Sequence, residues 1–254
     1  GLLASQGVVG AYYFGFRLAA QPLWMLAGNF SGVLFPVLVQ LRSDPRRQGE
    51  AALKASTLLS YCVMPLGVMQ AAVAGPLVTI AFGQKWASSV PVIELLSIGL
   101  ALDAVSWVAG SLLTARGEFR DGLRYVLLQL PVFFALVMAG AVLGQAVGVA
   151  WGVGLFYAIT QPIYVCTVFR KVGVGTRQVL SLYLRPTGCA LVAVGAGLGV
   201  SMVPVLAAAP LAQVVVIGTI GSALYAALVR WSAPEVWGEL GRRLGGAMRR
   251  DRSG

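Results

Sequence analysis

Seven long apolar runs, separated by short gaps, constrain this chain more than any other feature of its sequence. The runs cover residues 8–41, 51–82, 90–115, 123–143, 147–169, 180–203 and 211–231. About 20 apolar residues are enough for one helix to cross a bilayer. Only 11% of the residues are charged, far below the roughly 25% that is usual in soluble domains. The sequence therefore predicts an all-α, polytopic membrane bundle of about seven transmembrane helices.

The positive charges alternate between the gaps. Seventeen of the nineteen Lys and Arg residues lie in odd-numbered gaps or in the C-terminal tail, which leaves Arg17 and Lys85 for the other side. Cytoplasmic loops of membrane proteins are enriched in Lys and Arg, so this pattern predicts cytoplasmic odd gaps and a cytoplasmic C-terminus. The net charge of +10 then indicates contact with anionic membrane lipids rather than with nucleic acid.

Two regions follow from this pattern: a transmembrane bundle at residues 1–232 and a basic tail at 233–254. Apolar residues recur in the tail at helical spacing, with arginines between them. They are Val236, Trp237, Leu240, Leu244 and Met248. Both a helix lying on the cytoplasmic headgroups and a disordered basic tail fit this pattern.

The chain offers little for catalysis. It contains no histidine, which is the most common general base and metal ligand. No pair of carboxylates and no nucleophile-base set is visible, and the three cysteines lie in apolar runs without metal-ligand spacing. We expect no enzyme activity, no metal and no cofactor.

A charged residue inside a crossing is costly and is by default a candidate for function. Arg17 lies in the first run, and Gln21, Trp24 and Gly28 share its helical face. Two interpretations remain open for Arg17. It either faces a cavity and meets an anionic headgroup, or extends outward to the membrane interface.

Other polar residues inside the runs complete the candidate set. Asp103 could carry a coupling proton or ion, pair with Arg17, or accept hydrogen bonds in a structural role. Gln161, like Gln70, is either an interhelical hydrogen-bonding residue or a ligand contact. Asn29 begins the sequence Asn29-Phe30-Ser31, which matches a glycosylation site by chance because it lies inside the first crossing. The candidate substrate-binding residues are Arg17, Gln21, Asn29, Asp103 and Gln161.

Glycines spaced by four let helix backbones approach closely. Three such sets lie inside the predicted crossings, and each predicts a tight helix-helix contact. They are Gly28/Gly32, Gly140/Gly144/Gly148/Gly152 and Gly195/Gly199.

Several motifs resemble one family. Residues 9–22 read VGAYYFGFRLAAQP, and they are followed by Leu34-Phe35-Pro36 and by Phe82-Gly83-Gln84-Lys85-Trp86. This order resembles that of the polysaccharide exporters, which are oligosaccharide flippases of the multidrug/oligosaccharidyl-lipid/polysaccharide flippase superfamily. The specific likeness covers about residues 9–124.

The resemblance implies two helical lobes that rock around a cationic cavity and move undecaprenyl-pyrophosphate-linked oligosaccharide outward across the bacterial inner membrane by alternating access. It also implies that Arg17 meets the pyrophosphate. Members of this family are longer than this chain. We therefore expect the chain to be the C-terminal portion, the second lobe with extra helices, and the N-terminal lobe of the same protein to be its partner.

Three alternatives remain open. The first is a lipid II or drug exporter of the same superfamily. The second is a polytopic envelope glycan ligase or polymerase, which should carry a large outer loop with catalytic Arg, Asp or His residues. The third is a membrane scaffold that transports nothing.

Overall fold

The computed structural model describes residues 6–203 and 209–239, and this part of the chain is almost entirely helical, without a β-strand. The helices are α1 (Gln6–Gln40), α2 (Pro45–Phe82), α3 (Val90–Ala104), α4 (Ser106–Arg116), α5 (Phe119–Arg170), α6 (Thr176–Ser201) and α7 (Pro210–Ser232), and a 3-10 helix covers Gln84–Ser89. Six helical segments are long and apolar enough to cross a membrane, one of which joins Gln84 to Arg116. The predicted all-α membrane bundle is confirmed.

Helix α5 supplies two crossings rather than one. Its 52 residues would extend for about 78 Å as a straight helix, more than twice the hydrocarbon thickness. Gly144 and Gln145 have non-helical backbone angles, and Gln145 takes a positive φ of 49°. The chain reverses there, so that Gly140 packs against the carbonyl of Gly148. Two antiparallel arms, 119–143 and 146–170, therefore bring the number of crossings to the predicted seven.

The basic loops gather at one end of the bundle, which we call the basic end. The guanidinium of Arg42 lies 3.3 Å from where a Cβ on Gly117 would stand, and the carbonyl of Val172 lies 2.6 Å from the corresponding position on Gly49. Loops 41–44, 117–118 and 171–175 therefore meet there. The turns at 83–89 and 144–145 lie at the other end, which we call the opposite end.

The interior of the bundle is closely packed, whereas the first arm of α5 is apolar on its outside. Leu23 of α1, Leu96 of α3 and Phe169 of α5 are fully buried. On the first arm, by contrast, Leu128 is 71% exposed and Leu143 is 86% exposed. Large apolar side chains at such exposure indicate a surface that faces lipid rather than water.

Pro22 creates an unpaired carbonyl inside α1, and α2 satisfies it. Proline has no N–H, so the carbonyl of Leu18, four residues earlier, loses its helical partner. The side-chain amide of Gln70 donates a hydrogen bond to that carbonyl at 2.6 Å. Gln70 thus joins α1 to α2, the interhelical role that its position in an apolar run suggested.

The same arrangement recurs at Pro65 in α2. The carbonyl of Tyr61 lies four residues earlier, and the hydroxyl of Tyr225 on α7 donates to it at 2.8 Å. A small apolar cluster surrounds this joint, with Leu58 and Val229 at its centre. At both Pro22 and Pro65, therefore, a polar side chain from a neighbouring helix satisfies the carbonyl that the proline leaves free.

The glycine sets fulfil their predicted role only in part. A Cβ on Gly28 would lie 3.5 Å from the ring of Trp107, and the set in α5 forms the contact between its two arms. Gly195 and Gly199, in contrast, have no neighbour within 4 Å. Their prediction is wrong, because Gly197 is the residue that faces α7, where a Cβ would lie 3.2 Å from Ile217.

The first residues of the tail fold back onto the basic end. Residues 234–239 are helical, and Val236 packs with Leu58 and Tyr61 of α2. Lys54 forms an ion pair with Glu239 at 3.3 Å. Residues 240–254 lie outside the described part of the chain, so the helical pattern predicted there stays a prediction.

Candidate functional site

Helix α1 divides into a packing face and an exposed face. Ala19, Leu23 and Ala27 are completely buried against the bundle. Arg17, Gln21 and Asn29 are exposed on the other side, where we refer to them together as the α1 stripe. Three of the five predicted site residues therefore share one accessible surface.

Arg17 has aromatic rather than acidic neighbours. Its Cζ lies 5.8 Å from the ring centroid of Tyr13, a cation-π contact one turn along the helix. No carboxylate of a described residue forms an ion pair with it; the ion pairs of the bundle lie elsewhere. The guanidinium therefore keeps its donors available.

The depth of Arg17 follows from the contacts of its neighbours. Phe14 stacks on Trp86 of the 3-10 helix with ring centroids 4.1 Å apart. A Cβ on Gly15 would lie 3.2 Å from the carbonyl of Ser89. Because Arg17 is less than one turn further along, it lies just inside the aromatic layer of the opposite end. This is the depth at which a lipid phosphate meets the apolar region.

Asp103 lies inside the bundle, close to the point where α3 gives way to α4. One carboxylate oxygen accepts a hydrogen bond from the hydroxyl of Ser106 at 3.2 Å, and the other accepts from the indole N–H of Trp107 at 3.4 Å. It does not pair with Arg17, so that option for Asp103 is wrong. The carboxylate acts here as a hydrogen-bond acceptor for the first turn of α4.

Gln161 lies on the second arm of α5 and is only 6% exposed. Tyr157, one turn before it, is close enough to Asp103 to be affected by its charge. Trp107 links Asp103 to α1, because it donates to Asp103 and packs against Gly28. The structure thus places three of the predicted residues on the exposed surface of α1, and Asp103 and Gln161 within the bundle on α3 and α5.

A polar network at the basic end was not predicted from the sequence. Gln48 is completely buried and donates to the carbonyl of Leu38 at 2.8 Å. Its Oε1 accepts from Arg116 at 3.2 Å, and Arg116 also pairs with Glu118 at 2.6 Å. Lys171 continues the network by donating to Glu118 at 2.6 Å. The signal was present in the sequence, since opposite charges in gaps three and five must reach the same end.

The charges in this network shift one another's titration. Burial alone would raise the pKa of Glu118, but hydrogen bonds from Lys171 and Arg116, together with their charges, outweigh it and lower that pKa. Burial would lower the pKa of Lys171, but its bonds to Asp121 and Glu118 outweigh burial and raise it. Both groups are therefore held in their charged forms. No three Cys, Asp or Glu side chains of the described residues gather in a way that could hold a metal ion.

Comparison with known proteins shows similarity to proteins of polysaccharide biosynthesis. The model of a family described as "Polysaccharide biosynthesis protein" matches residues 1–91, which include α1, α2 and the 3-10 helix. The lipopolysaccharide biosynthesis protein WzxC of Escherichia coli K12 is 28% identical over 182 residues, which are 70% of this chain and 37% of that protein. The succinoglycan biosynthesis transport protein ExoT of Rhizobium meliloti is 25% identical, over 72% of this chain and 37% of its own length.

A further relative is an uncharacterized membrane protein in the cps region of Klebsiella pneumoniae, 28% identical over 59% of this chain and 31% of its own length. No solved structure matches the chain. The chain spans about a third of the length of the curated relatives it matches. The matched family segment carries the α1 stripe, and the bundle is that of a multi-pass membrane protein. The chain is thus a multi-pass membrane protein that is similar to polysaccharide biosynthesis proteins, most specifically over residues 1–91.

Proposed function

We propose that this chain takes part in flipping undecaprenyl-pyrophosphate-linked oligosaccharide across the bacterial inner membrane, for the synthesis of surface polysaccharide. The observation that carries the proposal is Arg17, an exposed arginine without an acidic partner among the described residues, at the depth of a lipid headgroup. The names of two relatives, a lipopolysaccharide biosynthesis protein and a succinoglycan biosynthesis transport protein, support the same class of substrate.

The chemistry of Arg17 suits a pyrophosphate. A guanidinium presents a planar fork of N–H donors that bonds two phosphate oxygens at once and stays charged at any physiological pH. Gln21 lies one turn further along the α1 stripe and adds an amide that can bond a neighbouring phosphate or sugar oxygen. Within the apolar region these contacts are stronger than in water. Asn29 extends the same surface toward the basic end, where a sugar could be met during the crossing.

Asp103 and Gln161 have a supporting place in this proposal. Both lie inside the bundle, and Trp107 connects Asp103 to α1 at Gly28. A change in the tilt of α1 would press on Trp107 and disturb its bond to the carboxylate. We therefore propose that Asp103 responds to movements of α1 during alternating access, and that Gln161 stabilises the helices around it.

The orientation follows from the charges. We place the basic end and the C-terminus in the cytoplasm, because that end collects nearly all lysines and arginines. Arg17 then lies near the periplasmic surface, where it would hold the pyrophosphate during outward release. The bundle at 1–232 would act together with an N-terminal lobe of the same protein, and the tail at 233–254 would lie on anionic lipids.

The test uses the full-length protein in its own cells. We expect Arg17→Ala to reduce surface polysaccharide at least about tenfold, the loss expected when one charge-assisted contact of about 1.5–3 kcal/mol is removed. The protein should remain in the membrane at its normal level. Lys85→Ala is the matched control, since Lys85 is an exposed cation at the same end of the bundle, over Trp86. It should leave the polysaccharide unchanged.

The accumulating intermediate separates the alternatives. Blocked flipping leaves lipid-linked oligosaccharide in the cytoplasmic leaflet, out of reach of a lectin added to spheroplasts. A defective ligase or polymerase would leave it in the outer leaflet, within reach of the lectin. Loss of cell-wall precursor export with normal polysaccharide would indicate a lipid II exporter, and normal polysaccharide in the Arg17→Ala strain would indicate a scaffold.

A further inference from the structure

A groove with a volume of about 320 Å³ lies between α1 and α2. Its α2 wall runs from Leu66 to Phe82 at intervals of three or four residues, which is one face of the helix. At about 1.5 Å per residue this wall is about 24 Å long. Leu18 and Pro22 form the α1 wall. The groove is therefore long and narrow, and it follows the direction in which lipid chains run.

The lining of the groove is suited to hydrocarbon. Gln70 is the one polar side chain in its lining. Its side-chain N–H donates to the carbonyl of Leu18, and its buried Oε1 has no hydrogen-bond partner among the described residues. Leu77 and Phe82 on the wall are 44% and 43% exposed, so the groove is open at the surface of the described bundle. An apolar space of this kind does not hold ordered water, because water needs two or more polar partners.

The groove adjoins the α1 stripe. Leu18 follows Arg17 directly in the chain, and Pro22 follows Gln21, so the groove wall and the stripe occupy neighbouring faces of α1. Successive residues of a helix differ by about 100° in direction and about 1.5 Å in height. A phosphate held by Arg17 is thus within about one helical turn of the part of the groove that Leu18 and Pro22 line. A cationic contact beside an apolar groove is complementary to a lipid that carries a phosphate on a hydrocarbon chain.

We propose that this groove binds the polyprenyl chain of the lipid-linked substrate, at the isoprene units next to the pyrophosphate. The inference rests on the proposed function, because Arg17 has to hold the pyrophosphate for the chain to enter beside it. The groove would make the protein recognise the carrier lipid as well as its headgroup. It would also keep the chain in the bilayer while the glycan crosses.

The experiment compares two probes with the same headgroup, undecaprenyl diphosphate and methyl diphosphate, which has no isoprene chain. Their dissociation constants are measured on the full-length protein in phosphatidylcholine nanodiscs. Leu77→Trp fills the groove from its open side, and Val73→Phe fills it from the α2 wall. Leu128→Trp is the matched control, because Leu128 is an exposed apolar residue on α5 outside the groove.

We expect both groove-filling variants to weaken the binding of undecaprenyl diphosphate about tenfold. This is the loss expected when about two methylene groups no longer find an apolar contact. Binding of methyl diphosphate should stay nearly unchanged, which also shows that the variants are folded. The control should bind both probes like the native protein. Arg17→Ala should weaken the binding of both probes to the same extent.

The outcomes separate the two proposals. If both groove-filling variants keep the native preference for the long chain, the groove does not bind the polyprenyl chain, while the role of Arg17 stands. If Arg17→Ala binds both probes normally, the proposed function fails and the groove assignment fails with it.

Discussion

Two arginines of this bundle, Arg116 at the basic end and Arg17 on the α1 stripe, differ in what surrounds them. Arg116 is 21% exposed and bonds Glu118 at 2.6 Å and Gln48 at 3.2 Å. Arg17 is exposed and has the ring of Tyr13 beside it, without a carboxylate partner among the described residues. The same side chain thus serves two purposes. Where its donors are satisfied within the protein it stabilises the fold, and where they are left available it can bind a ligand.

The network around Arg116 joins four helices, and its centre should be the site most sensitive to substitution. We expect Gln48→Leu to lower the free energy of unfolding by about 3 kcal/mol, because it leaves the carbonyl of Leu38 and one Arg116 N–H unsatisfied while buried. Reversible unfolding in mixed detergent micelles measures this. Gln40→Leu, an exposed glutamine at the same end, is the control and should change stability by less than about 0.5 kcal/mol.

The two arginines themselves should separate stability from transport. Arg116→Ala should cost about 2 kcal/mol of unfolding free energy, because Gln48 and Glu118 lose a charged partner. Arg17→Ala should leave that free energy within about 0.5 kcal/mol of the native value, yet reduce polysaccharide export. The same unfolding assay and the surface polysaccharide of intact cells give the two measurements. A destabilisation by Arg17→Ala as large as that by Arg116→Ala would contradict the comparison.

The hydrogen bond from Gln70 to the carbonyl of Leu18, which Pro22 leaves free, should have a smaller effect on stability. A double-mutant cycle can isolate it. Gln70→Leu alone should cost about 1 kcal/mol, because the carbonyl of Leu18 loses its donor. In a Pro22→Ala background the backbone N–H returns and bonds that carbonyl, so the same change should cost less. The two substitutions should therefore show a coupling energy of about 1 kcal/mol. Additive effects would mean that Gln70 does not compensate for the proline.

The smallest expected effect is a pH dependence of stability at the basic end. The pKa of Glu118 is lowered from its usual 4.5, so its contribution is fully present above pH 4.5 and is lost as the pH falls through the folded value. The pKa of Lys171 is raised from its usual 10.5, so its contribution is present below pH 10.5 and is lost at higher pH.

Thermal unfolding in detergent between pH 3 and 7 tests the acid side. Glu118→Gln should flatten the loss of stability below pH 4.5. Glu50→Gln is the control, because Glu50 is 65% exposed and its surface pair with Arg46 contributes little. An equal loss of thermal stability below pH 4.5 in native protein and in Glu118→Gln would show that Glu118 does not contribute to the pH dependence.

The class of fold and the course of the chain could be predicted from the sequence, because both follow from local composition. The gap predicted at 144–146 is the reversal found at Gly144 and Gln145, and the seven crossings are confirmed. The similarity to polysaccharide biosynthesis proteins could be predicted from short motifs in and after α1. The partners of individual polar residues could not. Asp103 bonds Ser106 and Trp107 instead of Arg17, since small rotations of a helix decide which side chains face each other.

The sequence by itself determined that this protein is a helical membrane bundle with its basic loops at one end, because hydropathy and charge act on each segment separately. It also determined that Arg17 is a cation within an apolar crossing. Only the tertiary structure decided that Arg17 is exposed beside an apolar groove, that Gln70 and Tyr225 satisfy carbonyls freed by proline, and that Gly197 rather than Gly195 meets α7. These features depend on the rotation and height of one helix against another, which are fixed by the packing of side chains distant in the chain.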